Sequence, residues 1–482
     1  MDTTTSEKKR QLNFWDCLGV GINGIIGTGI FLLPAGILVV SGKYSPLSWL
    51  LLGVICILVA LCFAEASGHT ERSGGPYRYA CDVFGLPIGF IVGWVTLAST
   101  VLGYAAVASE FGGAIWETFF AVSNTWAKFS LSISLVVFLC IINLIGVKIG
   151  SRASFVISMV KIVTLLLFVV VGIFFVKKAL LNPELSTQTV AQLRKETWLP
   201  SFMPLVGLLI FSGASRGLFA ITGFEYVPVP AGEVINPKKN IPLAMVFSIV
   251  GILVLYMFIQ VVVTGTISDV LLKGDQAAFN NPVVESVRTF MTQWKGVFAG
   301  ELGAKLTNFA KAISIFGFCA GSALVGPRYF EVFAEDRFLP EKLMQRSSKR
   351  NVPVYAIVTL ALLVIFFMTW MQLVSPTDQA SLTSVMPQTI FTKLSNLSNI
   401  AVLIQFVSTC LSIMVLHAKK QFAKDGFTLG RLGYIIPFFA IMGCLLMLGT
   451  FKPKDGIYAL IIIGVGIVFG FLHRVLFSKK SE

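Results

Sequence analysis

Two glycine-containing interruptions in long apolar segments carry most of the chemistry this sequence can offer. The first is Gly24-Ile25-Ile26-Gly27-Thr28-Gly29-Ile30-Phe31; the second is Phe219-Ala220-Ile221-Thr222-Gly223-Phe224-Glu225, followed by Pro228 and Pro230. Glycine inside a helix costs about 1 kcal/mol relative to alanine, and in lipid every backbone group freed from the ladder needs another partner. Unwound backbone at membrane depth is therefore tolerated where it faces a cavity, and its N–H and C=O groups can bind a ligand there. A half-helix beginning near Gly29 points its N-terminus, with about half a positive charge, at that cavity, which suits a carboxylate. The carbonyls ending the preceding half-helix suit an ammonium.

Ionisable side chains near the interruptions add to this. Lys161 lies inside a fifth apolar segment, an expensive place for an ammonium and a functional site by default. Its alternative is snorkelling toward a segment end roughly 10 Å away. Glu225 directly follows the second interruption, where a carboxylate caps the positive end of a following half-helix. Arg216, about one turn before Phe219, either faces a vestibule, favouring an anionic substrate, or pairs with a carboxylate such as Glu110 as a gate or structural bridge. Ser314 and Ser322 are hydroxyls placed near Lys161 by approximate spacing. Glu65, Glu233, Arg328 and Glu331 fall near inner segment ends and read as structural or gating salt bridges.

The elements that must position these groups are membrane helices. The chain has 482 residues, is 55% hydrophobic and 13% charged, and has a mean hydropathy of +0.82, which excludes a soluble protein with one core. Apolar stretches of about 20 residues place twelve spans near 14–40, 46–68, 86–112, 130–150, 154–177, 203–232, 241–265, 303–334, 352–374, 389–417, 431–451 and 456–477. The net charge of +14 reads as an inner excess of Lys and Arg rather than as nucleic-acid binding. Roughly 21 of these residues fall inside and roughly 13 outside, so both termini are expected in the cytoplasm. The first apolar segment is too long for a cleavable signal peptide. The eight cysteines show no C-x-x-C spacing and read as small buried side chains. His69, His417 and His473 fall at inner span ends, which argues against a histidine proton relay. No metal or cofactor is expected.

The two interruptions open two sets of five spans. An odd number of crossings forces the second set to enter from the opposite side, so the repeats are inverted, and paired interruptions then point to a midplane binding site. The expected fold is an all-α membrane protein of twelve transmembrane helices, a 5+5 inverted repeat plus two C-terminal helices, with helices 1 and 6 broken. Its parts are a cytoplasmic tail (1–12), a first repeat (13–178), an extracytoplasmic loop (179–202), a second repeat (203–418), and helices 11 and 12 with a cytoplasmic tail (419–482). Gly466-x-x-x-Gly470 reads as helix packing or a dimer seam.

Four motifs, in order, resemble the amino acid–polyamine–organocation superfamily with a LeuT-like fold. They are Gly24 to Pro34; Glu65 followed by Ser73-Gly74-Gly75-Pro76-Tyr77-Arg78-Tyr79; Gly223-Phe224-Glu225 with Gly232 to Pro242; and Ala334-Glu335-Asp336-Arg337-Phe338-Leu339-Pro340. The resemblance implies an amino acid transporter working by alternating access. It implies that the amides of Gly27, Thr28 and Gly29 hold the substrate carboxylate, and that carbonyls of Ile25, Phe219, Ala220 and Thr222 take the α-ammonium. Phe219 matches an aromatic outer lid. Proton-coupled members resembling this chain carry a lysine where Lys161 stands, its ammonium replacing a sodium ion between spans 1 and 8, and Glu225 matches a proton-sensing carboxylate of some exchangers. One departure is Tyr226-Val227-Pro228-Val229-Pro230, where the family has small residues; the prolines are tolerable in a first helical turn and mark the start of a second half-helix.

The expected function is secondary active transport of an amino acid across the plasma (inner) membrane, driven by protons as symport. Exchange is the alternative, and a non-transporting sensor a remote one. No nucleophile with a paired base and no GxxxxGKS/T loop supports an enzyme. The carried amino acid and the oligomeric state are not legible.

Overall fold

A computed structural model describes residues 12–69, 74–120, 124–146, 151–185, 187–197, 199, 203–229, 234–347, 350–374, 389–421 and 427–478. These residues form eighteen α-helices, and their only β-pairing is an isolated parallel bridge between Leu12 and Val234. In chain order they are α1 (Phe14–Ile25), α2 (Gly29–Ser41), α3 (Ser45–His69), α4 (Pro76–Phe84), α5 (Leu86–Ser109), α6 (Phe111–Phe119), α7 (Thr125–Ile145), α8 (Ser151–Gly172) and α9 (Thr187–Glu196). There follow α10 (Leu205–Ile221), α11 (Pro237–Leu272), α12 (Gln276–Asn280), α13 (Pro282–Lys295), α14 (Val297–Glu335), α15 (Val354–Val374), α16 (Ile390–Ala418), α17 (Ile435–Leu448) and α18 (Pro453–Ser478).

Among the described residues, ten helical stretches are long and apolar enough to cross a membrane. This differs from the expected twelve for a local reason. The first glycine interruption divides the first segment into α1 and α2, of 12 and 13 residues, each shorter than the ~20 residues a crossing takes. A short turn at Gly42–Tyr44 then runs α2 into α3 as one 41-residue stretch. The second interruption ends α10 after 17 residues.

The first helix starts where its sequence says it should. Asn13 Oδ1 accepts from the amides of Trp15 and Asp16 at 2.8 and 3.1 Å, and Asp16 accepts in return from the Asn13 amide at 2.9 Å, a reciprocal cap that satisfies end groups the helix cannot. Inside the bundle α5 packs along α16, α3 along α11, and α10 against α2 and α3. Gly466 and Gly470 of α18 are seated on Trp94 and Phe90 of α5; a methyl at Gly466 would lie 1.6 Å from the Trp94 ring. That glycine pair is thus spent on packing within the chain. Large apolar side chains such as Leu167 and Val170 on α8, Leu362 and Phe366 on α15 and Val465 and Leu472 on α18 are exposed, the pattern of a lipid-facing surface.

Polar clasps gather at the two ends of the bundle. At the end bearing α4, the Tyr77 hydroxyl bonds Asp336, Arg78 pairs with Glu335 and Asp336 at 2.8 and 2.9 Å, and Glu65 bonds His417, Thr428 and the Leu429 amide. Glu331 pairs with Arg346 at 2.6 Å. Glu65 and Glu331 thereby gain definite partners, whereas Glu233 and the loop 70–73 lie outside the described residues. At the opposite end α13 and α14 are tied by Arg288, which pairs with Glu285 and Glu301.

Candidate functional site

The two interruptions meet back to back in the middle of the bundle. A methyl group at Gly24 would lie 2.8 Å from the Gly223 carbonyl oxygen, and one at Gly223 would lie 2.2 Å from the Gly24 oxygen. Gly223 also has φ of 120°, a conformation that favours glycine. Gly29 faces Ala220 so closely that a methyl there would stand 2.7 Å from the Ala220 Cα. Nothing larger than glycine fits at these contacts.

Between α1 and α2 the chain runs extended at Ile26 before Thr28 and Gly29 open the new helix. The Gly27 amide turns back to the Ile25 carbonyl at 3.0 Å. The amides of Thr28 and Gly29 sit at the head of α2, where a helix offers donors with no intrahelical acceptor. Thr28 Oγ1 is buried and has no hydrogen-bond partner among the described residues.

Lys161 of α8 reaches into this break. Its Nζ donates to Asn23 Oδ1 at 2.5 Å, the Ile26 carbonyl at 2.7 Å and the Asn23 carbonyl at 3.3 Å, and the residue is 3% exposed. From the other side, Ser314 of α14 donates to the carbonyls of Gly27 at 2.9 Å and Ile26 at 3.2 Å, while Asn23 Nδ2 donates to Gly317 O at 3.0 Å. Gly317 is small out of necessity: a methyl there would meet Asn23 Oδ1 at 2.6 Å and the Lys161 stem at 2.9 Å. Three carbonyls that α1 and α2 leave unpaired are thus satisfied by one ammonium and one hydroxyl.

The second interruption is held differently. Glu225 Oε2 accepts from the Gly223 amide at 2.7 Å, and Thr222 Oγ1 donates to the Phe219 carbonyl at 3.1 Å. No α-helix covers the described residues directly after Glu225, up to Val229: Phe224–Tyr226 forms a tight 3-10 turn and further turns run on to Val229. Pro228 lacks an N–H, so a regular ladder would miss a donor there. The expected second half-helix is corrected to this series of turns, and Glu225 closes a local loop rather than capping a long dipole.

Phe219, Thr222, Gly223 and Glu225 line a cavity of about 10 Å³ together with Ser99, Gly103, Tyr226, Phe318, Ser398 and Val402. That is room for about one water molecule. Phe219 closes one side, edge-on to Phe391 at 5.4 Å between ring centres. Ser322 is fully buried further along α14, near the Tyr226 hydroxyl. Arg216 is not a lining residue; its Nη1 donates to the Ser212 carbonyl one turn back at 3.0 Å. Glu110 does not serve as its ion-pair partner, because Glu110 pairs with Lys311 of α14.

The sequence profile described as amino acid permease matches residues 12–472. The chain belongs to the amino acid permease family. It is 26% identical to a branched-chain amino acid permease of Bacillus subtilis (strain 168), the alignment covering 99% of this chain and 96% of that relative. It is 25% identical to a serine/threonine exchanger of the same organism over 98% of this chain and 99% of the relative. Against the large neutral amino acids transporter small subunit 2 of Homo sapiens it is 26% identical over 72% of this chain and 62% of the relative. With its ten long apolar stretches, the permease is an integral membrane protein.

Two residues of this permease lie outside the set singled out from its sequence. Asn23 stands beside Gly24 in an apolar run, and a buried amide there is a signal, since it must find partners. Lys311 is a second lysine inside a long apolar helix, 2% exposed, and the argument that singled out Lys161 applies to it equally.

Proposed function

We propose that this permease is a secondary active transporter that moves an amino acid across the plasma membrane by alternating access, coupled to protons as symport. In this reading the twelve-crossing, inverted-repeat arrangement holds, both termini are cytoplasmic, and the α4 end is the inner one. The substrate carboxylate sits on the amides of Gly27, Thr28 and Gly29, and its ammonium on carbonyls of Ile25, Phe219, Ala220 and Thr222. Thr28 Oγ1, buried with nothing to bond, supports a ligand at this point, because orphaned buried polar atoms are rare in native structures. The cavity is too small for any amino acid, so binding requires its walls to part.

The observation that carries the coupling is the Lys161 ammonium, seated on Asn23 and Ile26 while Asn23 and Ser314 bond the break to α14. Charged, it satisfies these oxygens; on losing its proton it gives up its charge and part of that grip, and the break can separate from α8 and α14. Glu225 is the second proton-linked group of the proposal. The test is uptake into proteoliposomes under an imposed pH gradient. Uptake that is strong in the wild type and absent in Lys161→Met supports proton coupling, and equal uptake in both overturns it.

Exchange is the second reading, favoured by the resemblance to a serine/threonine exchanger. Counterflow separates the two: an exchanger moves labelled substrate only when substrate waits on the far side, whereas a symporter also fills empty vesicles. A thermal-shift panel of amino acids narrows the substrate, since stabilisation grows as RT ln(1 + [L]/Kd).

A further inference from the structure

One charged pair lies directly above the first break and takes no part in holding it. Lys311 Nζ stands 3.6 Å from Glu110 Oε2 and donates to Asn281 Oδ1, just before α13, at 2.8 Å. The lysine side chain is 2% exposed and the glutamate 24%. Both residues are placed by the break itself. Lys311 precedes Ser314 by three residues on α14, and Ser314 bonds the Gly27 carbonyl. Glu110 follows Val107 by three residues at the end of α5, and Val107 is among the side chains nearest Gly27. Three residues of helix rise about 4.5 Å, so the two charges flank the space one turn from Gly27 on the α13 side. One further turn out on the same face of α14 stands Asn308, 4% exposed, whose Oδ1 has no hydrogen-bond partner among the described residues.

We propose that Lys311, Glu110 and Asn308 form an outer subsite that receives the zwitterionic head group of an α-amino acid before it descends to the Gly27–Gly29 amides. This rests on the transport reading above. The chemistry is a match of signs. An ion pair at 3.6 Å is looser than a direct charged hydrogen bond, which closes at about 2.8 Å. A molecule carrying one carboxylate and one ammonium on the same carbon can replace each member of the pair for the other. Its carboxylate takes the Lys311 ammonium, and its ammonium takes Glu110 with the orphaned Asn308 oxygen. Every buried charge stays paired throughout, so the head group enters without leaving an uncompensated charge behind. A ligand with only an amine or only a carboxylate leaves one member unpaired and is disfavoured there. Asn308, Lys311 and Ser314 of α14 then make a descending row of polar groups that ends at the Gly27 carbonyl between α1 and α2.

The experiment measures the KM of the wild type, Lys311→Met, Glu110→Gln and Asn308→Leu separately from each face, using right-side-out and inside-out vesicles and the amino acid that stabilises the purified protein best. The expected result is a roughly tenfold rise in KM from the outer face for the two charge variants, with the outer-face kcat and the inner-face KM unchanged and the inner-face kcat lowered by the same factor, as detailed balance requires. Asn308→Leu shifts the outer KM less. A merely structural tie between α5 and α14 would not produce a one-sided KM effect. Equal shifts at both faces, an unchanged outer KM, or a loss confined to kcat and thermal stability overturns the subsite. If Lys311→Met fails to fold, the same readings are taken on Lys311→Arg, for which a one-sided KM change is expected. A wild type that moves no amino acid in either uptake or counterflow overturns the transport reading instead.

Discussion

The two breaks touch each other, yet they are secured in opposite ways. Between α1 and α2 the exposed carbonyls are satisfied from outside, by Lys161 on α8 and Ser314 on α14, with Asn23 reaching Gly317. After α10 the chain satisfies itself: Glu225 bonds Gly223, two residues away, and Thr222 bonds Phe219, three residues away. A break stitched by its own neighbours keeps its shape wherever its helix goes. A break stitched by other helices holds only while those helices stay in register, and it can be freed by one change of charge. In the proposed cycle the first break is therefore the part that yields, and the second is the pivot against which it moves.

The comparison is broken most directly at Lys161. Lys161→Met leaves the Ile26 carbonyl and Asn23 Oδ1 without their donor, a loss of about 2–3 kcal/mol for bonds to a charged group. Uptake driven by a pH gradient is expected to fall at least about tenfold; uptake at wild-type level would show that the first break needs no outside support. Gly29→Ala tests the contact between the breaks, since the new methyl would press on Ala220 at 2.7 Å. An overpacked core contact costs roughly 1–3 kcal/mol, so a lower melting temperature in detergent and slower transport are expected together. Unchanged values for both would mean that the two breaks are free to separate in the resting protein.

Smaller effects sharpen the contrast. Ser314→Ala removes one neutral donor, worth about 1 kcal/mol, and is expected to raise KM a few-fold while leaving the pH dependence intact. Glu225→Gln retains an amide oxygen for the Gly223 amide, so melting temperature should stay close to the wild type. Its pH profile should flatten, because the substituted group cannot titrate; a profile identical to the wild type would leave Glu225 as a local brace alone.

Much of this architecture was legible in residue order. Hydropathy located the long helices, and glycine clusters located both breaks to within a residue or two. Over the described residues as far as Val229 the helix expected after Glu225 gives way to turns, because the prolines that can open a helix also remove donors, and the local bond from Glu225 to Gly223 competes with the ladder. Arg216 illustrates the same difficulty for charges. Spacing put it near the site, but the guanidinium bonds its own helix at Ser212 and Glu110 goes to Lys311, an outcome set by which side chains happen to face each other.

By itself the sequence determined that this is a helical membrane protein with two costly interruptions, since burial of apolar residues and the backbone freedom of glycine are local properties that survive in one dimension. Only the tertiary structure decided that Gly24 lies on Gly223, that Lys161 grasps Asn23 across 138 residues of sequence, and that Lys311 and Glu110 stand together over Gly27. Those pairings depend on how tilted helices pack and on which groups they leave unsatisfied at each crossing, and no periodicity along the chain encodes them.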